Sequence, residues 1–200
     1  MRKIWLVLGL LWGTVLQAQM LPTHVLVPFH GMSTGYLGML LTDYFGVYGG
    51  VAGGAQRSRY FFHGGLLFPR YATIGTMGGG LAFMIHQSEP DVPFDLAIVP
   101  GMDVAFWRDV FTLQMLMGIQ SGVKVPIEGA PRPLWLTGSF ALGPYYSSVN
   151  TPGGRVSHTD IQYRFSMGIG YWFTRKLSLL VELYSGRYND WGFGVAMGFR

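Results

Sequence analysis

The chain has 200 residues, half of them hydrophobic and only 12% charged, with 30 glycines beside 14 Phe, 11 Tyr and 6 Trp, a length that suits one domain. It has no cysteine, which excludes a disulfide framework and a thiolate metal site. Removing Arg2 and Lys3 with a leader leaves 12 basic against 10 acidic side chains, a net of +2 that is too small and too scattered for a nucleic-acid footprint.

Residues 1–18 read as a secretory signal peptide. Arg2-Lys3 form the positive region, Ile4 to Leu11 the apolar core, and Leu16-Gln17-Ala18 the cleavage region, where Leu16 departs from the small residue usually found. The apolar run is interrupted by Gly9 and Gly13 and is too short for a spanning helix. No later segment offers eighteen consecutive apolar residues, so a membrane location for the exported chain requires strands that satisfy each other's backbone groups in a closed barrel. Residues 19–33 form a short lead-in, in which Val25, Val27 and Phe29 alternate but Pro22 and Pro28 weaken a central strand.

From residue 34 to residue 200 a single barrel domain is expected, because a period of two recurs along the chain. Strands are expected over residues 35–42 and 45–55, the second rich in Gly46, Gly49, Gly50, Gly53 and Gly54, where a helix would lose about 1 kcal/mol per glycine. Tyr60, Phe62, Leu66 and Phe68 then oppose Arg59 and His63, and Met77, Leu81, Phe83 and Ile85 oppose Thr76, Gly78, Gly80 and Ala82. A loop at 86–93 follows, with two prolines and two acids. Phe94, Leu96, Ile98, Met102, Val104 and Phe106 oppose Asp95, Ala97, Gly101, Asp103 and Ala105, and Arg108-Asp109 turns the chain. The next strand sets Met115, Met117 and Ile119 against Gln114, Gly118, Gln120 and Lys124. After a proline-rich loop at 126–133, Leu136, Phe140 and Leu142 oppose Trp135, Thr137, Ser139 and Ala141. Residues 150–159 are the most polar stretch and are expected to be a loop.

The last forty residues hold the pattern most strictly. Ile161, Tyr163, Phe165, Met167, Ile169, Tyr171 and Phe173 alternate with polar or small residues. So do Leu177, Leu179, Val181 and Leu183, and then Trp191, Phe193, Val195, Met197 and Phe199. A soluble barrel would bury such a face; a barrel in lipid turns it outward and points the polar set into the lumen. The expected fold is therefore all-β, an antiparallel up-and-down transmembrane barrel of about ten strands. Eight strands fit if the glycine-rich early segments do not span, and twelve fit if residues 25–29 join and Gly143-Pro144 hides a reversal. Several strands exceed the nine to eleven residues that cross a bilayer, so part of the wall should project beyond it.

The leader, the alternating strands and the aromatic last strand together resemble small bacterial outer-membrane β-barrels of the opacity-protein-like or porin-like kind, across the whole mature chain as an architecture and without a signature motif. The resemblance implies a bacterial outer-membrane location, contact with outer-membrane lipid and lipopolysaccharide, a monomer, and assembly by the barrel-assembly machinery. It implies that Trp191, Phe193, Val195, Met197 and Phe199 are the signal that the machinery reads, although Arg200 follows Phe199, where the aromatic is usually last.

Chemistry is sparse. The lumen-facing charges are expected to be Asp95, Asp103, Lys124, Arg164, Lys176 and Glu182. A buried charge is tolerable when paired, so Arg164 is expected to contact Glu182, placed near-opposite across the turn at Thr174-Arg175, or Asp103. Pore lining that sets ion preference is the functional alternative. Some small outer-membrane barrels modify lipids, as lipid A deacylases and palmitoyltransferases do, and would need a histidine base beside a nucleophile. His158 with Ser157 and Asp160, and His86 with Ser88 and Glu89, are neighbours in loops, but no catalytic run is present, so no catalytic residue and no enzyme activity are assigned. No paired histidines stand at metal-ligand spacing, and the glycine clusters precede no helix, so no metal, cofactor or nucleic-acid partner is expected. The functions left are a structural or surface-interaction role or small-solute passage. The rivals are an outer-membrane lipid-modifying enzyme and a secreted soluble lipocalin-like barrel that binds an apolar ligand.

Overall fold

A computed structural model describes residues 34–41, 45–55, 57–69, 72–89, 93–186 and 189–199, without side chains for residues 186–191. The expected leader, the lead-in with its short pattern at 25–29, and the side chain of Trp191 lie outside what is described.

Ten strands follow one another: β1 (Thr34–Leu41), β2 (Phe45–Gly54), β3 (Ser58–Phe68), β4 (Ile74–His86), β5 (Phe94–Trp107), β6 (Val110–Val125), β7 (Leu134–Thr151), β8 (Gly154–Trp172), β9 (Leu177–Gly186) and β10 (Asn189–Phe199). Each pairs antiparallel with its sequence neighbours, and β1 closes on β10. The alternative counts of eight and twelve fall away. β2 is a full strand despite its glycines, and β7 runs through Gly143 and Pro144 without reversing. Residues 150–159 are corrected from loop to hairpin. Asn150 pairs with Arg155 and Thr151 with Gly154, leaving a two-residue tip at 152–153. Gly154 takes φ +120°, and Thr151 Oγ1 donates to its carbonyl at 2.7 Å. The stretch reads as a loop because both faces are polar; a strand needs an apolar face only where one side meets an apolar neighbour.

The pairing register defines the shape. Stepping from Phe106 through Gly75, Leu66, Val47, Met39, Val195, Val181, Ile169, Leu136 and Val123 returns to β5 at Phe94, twelve residues from the start. Ten strands with that stagger tilt by about 40° and give a backbone radius of about 10 Å. Strand length climbs from 8 residues in β1 to 19 in β8 and drops to 10 in β9. The wall is therefore tall along β5–β8 and low at β9, whose pairing with β8 reaches only Arg164.

The expected orientation is observed. Leu37, Met102, Ile119, Phe140, Ile161, Phe173, Phe193 and Met197 stand exposed on the outer face, while Leu40, Asp103, Glu182 and Ala196 are buried inside. A soluble barrel with an apolar ligand inside would show the reverse. The interior is layered. Leu40, Leu67, Ile74, Val110 and Val149 close the lumen toward the end with the turn at residues 108–109. Trp135, Trp172 and Leu180, with Phe61, Ala82 and Ala97, close the other end.

Candidate functional site

Between those two apolar layers lies a polar one, and the register of three strands builds its centre. His63 on β3, Gly78 on β4 and Asp103 on β5 stand side by side and face inward. Because the middle residue is glycine, the His63 Nε2–H reaches across β4 to donate to Asp103 Oδ1 at 2.9 Å. A Cβ on Gly78 would collide with both of those atoms. The other carboxylate oxygen of Asp103 accepts from Arg164 Nη2 of β8, across the lumen, at 2.9 Å. Arg164 Nη2 also donates to Gln114 Oε1 at 3.1 Å, and Gln114 Nε2 donates to Gln162 Oε1 at 3.4 Å. Ser139 and Ser166 share a hydrogen bond of 2.9 Å just below. Asp103 is 5% exposed and Arg164 8%, so the ion pair is removed from bulk water and held by further hydrogen bonds, the condition under which a buried pair is tolerable.

Of the two contacts expected for Arg164, the one with Asp103 forms. Near-opposite placement of Glu182 is corrected: Arg164 lies across from Gly186, and Glu182 lies across from Gly168, four positions along the β8–β9 pair. Opposing Arg164 with Glu182 would need a turn centred at residue 173; it centres at 175, and each residue of turn displacement moves the partner by two. Glu182 is 1% exposed and has its own environment, with its Cγ packed over Gly168 beside Thr137. Asp95 is buried near the other end, where its Oδ1 accepts the Ser88 N–H at 2.7 Å and the charge of Arg59 is within Coulombic reach. Lys124 is half-buried, with its ammonium 5.0 Å from the centre of the Trp135 ring. The expectation that Lys176 faces the lumen is corrected: it is exposed in the turn at 173–176, before the strand alternation resumes at Leu177.

The expected set of lumen charges omits His63 and Arg59. The sequence does carry their signal, since both fall on the face opposite Tyr60 and Phe62. His158 and Asp160 approach only to 3.9 Å on the projecting part of β8, beyond hydrogen-bond reach, and Ser147 is the cross-strand neighbour of His158. The described residues also contain no group of three His, Asp or Glu that could hold a metal ion.

A cavity of about 60 Å³ adjoins the polar layer, lined by the small residues Gly101, Gly118 and Ala141 and by His63, Gln120 and Ser139. It has room for a few waters. Gln162 Nε2 in the polar layer and, further along β7, Ser147 Oγ are buried without a hydrogen-bond partner among the described residues. Elsewhere in the interior, rings are laid over glycines. Tyr48 covers Gly38, Tyr36 covers Gly50, and Tyr184 covers Gly192, each at a distance that leaves no space for a Cβ.

No protein-family model matches the chain, and comparison with curated protein sequences yields no match. Solved structures with a similar fold are outer-membrane β-barrel proteins. A KdgM porin aligns with a TM-score of 0.47 and 7% identity, covering 84% of this chain and 99% of that one. The outer-membrane protease OmpT from Escherichia coli aligns at 0.43 and 11% identity, covering 84% and 91%. The N-terminal β-barrel domain of Pseudomonas aeruginosa OprF aligns at 0.35 and 14% identity, covering 85% and 98%.

Proposed function

We propose that this protein is a monomeric integral β-barrel of the bacterial outer membrane whose lumen is closed, and that it serves as a structural or surface-interaction element. The observation that carries this reading is the hydrogen-bonded polar layer: Asp103, Arg164 and Gln114 are tied together between two buried apolar clusters, with a cavity of about 60 Å³ beside them. An ion would have to displace a buried carboxylate–guanidinium pair and cross both layers, which is costly in a medium of low dielectric. A conducting barrel instead lines its channel with hydrated side chains. The outer face supports the membrane location, since a continuous belt of exposed Leu, Met, Ile and Phe side chains around a closed sheet is stable in acyl chains and unstable in water. The polar end of the tall β7–β8 hairpin, residues 150–159, extends beyond that belt and is the part available to partners outside the bilayer. The outward row Phe193, Val195, Met197 and Phe199 on β10 fits the role of the segment read during barrel assembly.

Planar-bilayer recording of the refolded protein tests the closed lumen. Insertion without unitary current is the expected result, and a reproducible unitary conductance would sink the reading.

A further inference from the structure

We infer that the barrel rim formed by the turn at residues 173–176 and the neighbouring connection at 126–133 binds the phosphodiester headgroup of anionic phospholipid. This rests on the membrane reading proposed above. The two connections are neighbours because β7 and β8 pair down to Leu134 and Tyr171. Together with the strand ends they carry Lys124, Arg132, Arg175 and Lys176, with Glu128 as the acidic residue among them. The opposite rim has no such bias on these strands, since Arg108 stands beside Asp109, and Arg155 shares β8 with Asp160.

The turn is built to hold its cations in place. Thr174 Oγ1 accepts the N–H groups of both Lys176 and Leu177 at 3.0 Å, and the N–H of Phe173 donates to the Leu177 carbonyl at 3.1 Å. Arg175 and Lys176 therefore project, exposed, from a closed and hydrogen-bonded loop. Directly below them, Phe173 is 56% exposed on the outer face and meets Tyr171 edge-on, with ring centroids 5.2 Å apart. Ile127 and Phe199 extend the same exposed apolar surface. Aromatic rings at the wall's edge with guanidinium and ammonium groups just beyond them match the vertical profile of a phospholipid, with acyl chain first and phosphate next. An Arg fork and a Lys ammonium on one turn can each take a phosphodiester oxygen. Anionic lipid adds a favourable term for every basic group held at that depth.

The test uses the full chain refolded into vesicles of phosphatidylcholine containing either spin-labelled phosphatidylglycerol or spin-labelled phosphatidylcholine. Flotation of the vesicles with protein is scored first: failure to float would count against the membrane reading, whereas flotation without lipid preference overturns this inference alone. Electron paramagnetic resonance should show phosphatidylglycerol favoured at the protein boundary about three- to tenfold at low salt. The preference should fall close to unity in Arg175→Gln/Lys176→Gln and persist in Arg108→Gln at the other rim. Equal boundary occupancy in the unsubstituted protein, or a preference that survives the Arg175→Gln/Lys176→Gln change, would overturn it. Inorganic phosphate should weaken the preference no more than chloride at matched ionic strength; selective displacement by phosphate would mean a free-anion site and would also overturn the lipid assignment.

Discussion

Removing the Asp103 carboxylate tests the logic of the lumen most directly. In Asp103→Ala the Arg164 guanidinium loses its 2.9 Å charge partner and keeps Gln114 at 3.1 Å, while His63 loses its acceptor. Arg164 is largely withdrawn from bulk water, with its side chain only 10% exposed. Stripping one partner from a buried ion pair costs about 3–5 kcal/mol. Arg164→Met strands the carboxylate in turn, with His63 as its remaining donor, and should cost a similar amount. Replacing both, Asp103→Leu with Arg164→Met, removes the charges together and leaves neutral groups of similar bulk. The double variant should then cost about 1–3 kcal/mol, set by the partners left to His63 and Gln114. Urea unfolding of vesicle-embedded protein, read by tryptophan emission and by gel mobility without heating, measures all three. With Asp103→Leu as the matching single variant, the coupling between the sites should reach at least about 3 kcal/mol. A loss below about 1 kcal/mol in Asp103→Ala, or a double variant whose cost equals the sum of the single ones, would refute the claim that this pair seals the lumen.

Two further outcomes follow from the orientation of the wall and from its histidines. Ile119→Arg, in mid-strand on the exposed outer face, should cost about 2–4 kcal/mol in vesicles, against about 0–1 for Phe173→Arg at the rim. Equal penalties in the same unfolding assay would contradict the placement of the apolar belt. His86→Ala and His158→Ala should leave the lipid A mass spectrum of the host cells unchanged, because His158 and Asp160 stand 3.9 Å apart, beyond hydrogen-bond reach, and neither histidine belongs to a catalytic run in the sequence. A shifted acyl pattern would reinstate a lipid-directed enzyme.

The alternation makes most of this fold legible. One residue in two can be assigned to a side, and a side is all that lipid and lumen distinguish, so the outward rows of β8, β9 and β10 follow from the residues alone. Register is a different kind of information. Whether Arg164 meets Glu182 or Asp103 depends on where the turn centres and on a twelve-residue stagger accumulated around ten strands, and no local pattern encodes either. His63 illustrates a second limit. Its face is readable, yet its contact with Asp103 exists because the residue between them in space, Gly78, has no side chain, and that adjacency joins positions 40 residues apart. The hairpin at 150–159 marks a third limit. Polarity on both faces reports that a segment is wet, which loops and projecting strands share.

The glycines that make the composition unusual also let large side chains pack inside so narrow a barrel. A wall of about 10 Å backbone radius cannot take large side chains from every strand at one height, so large residues must face small ones. Tyr48 and Gly38 are the sharpest case. A Cβ on Gly38 would run into the Tyr48 ring and lie 2.8 Å from the Val195 carbonyl oxygen, which is backbone and has little room to retreat. Gly38→Ala should therefore cost about 1–3 kcal/mol through overpacking. Tyr48→Ala should cost about 3–5 kcal/mol through the cavity it leaves. If the ring causes most of the clash, Gly38→Ala/Tyr48→Ala should be less destabilised than the sum, by about 1 kcal/mol, since the new methyl group occupies space the ring vacated. Strict additivity in the urea assay would mean that the Val195 carbonyl sets the cost. Glycine at position 38 would then serve strand pairing, and the ring-over-glycine account of the filled lumen would fail there.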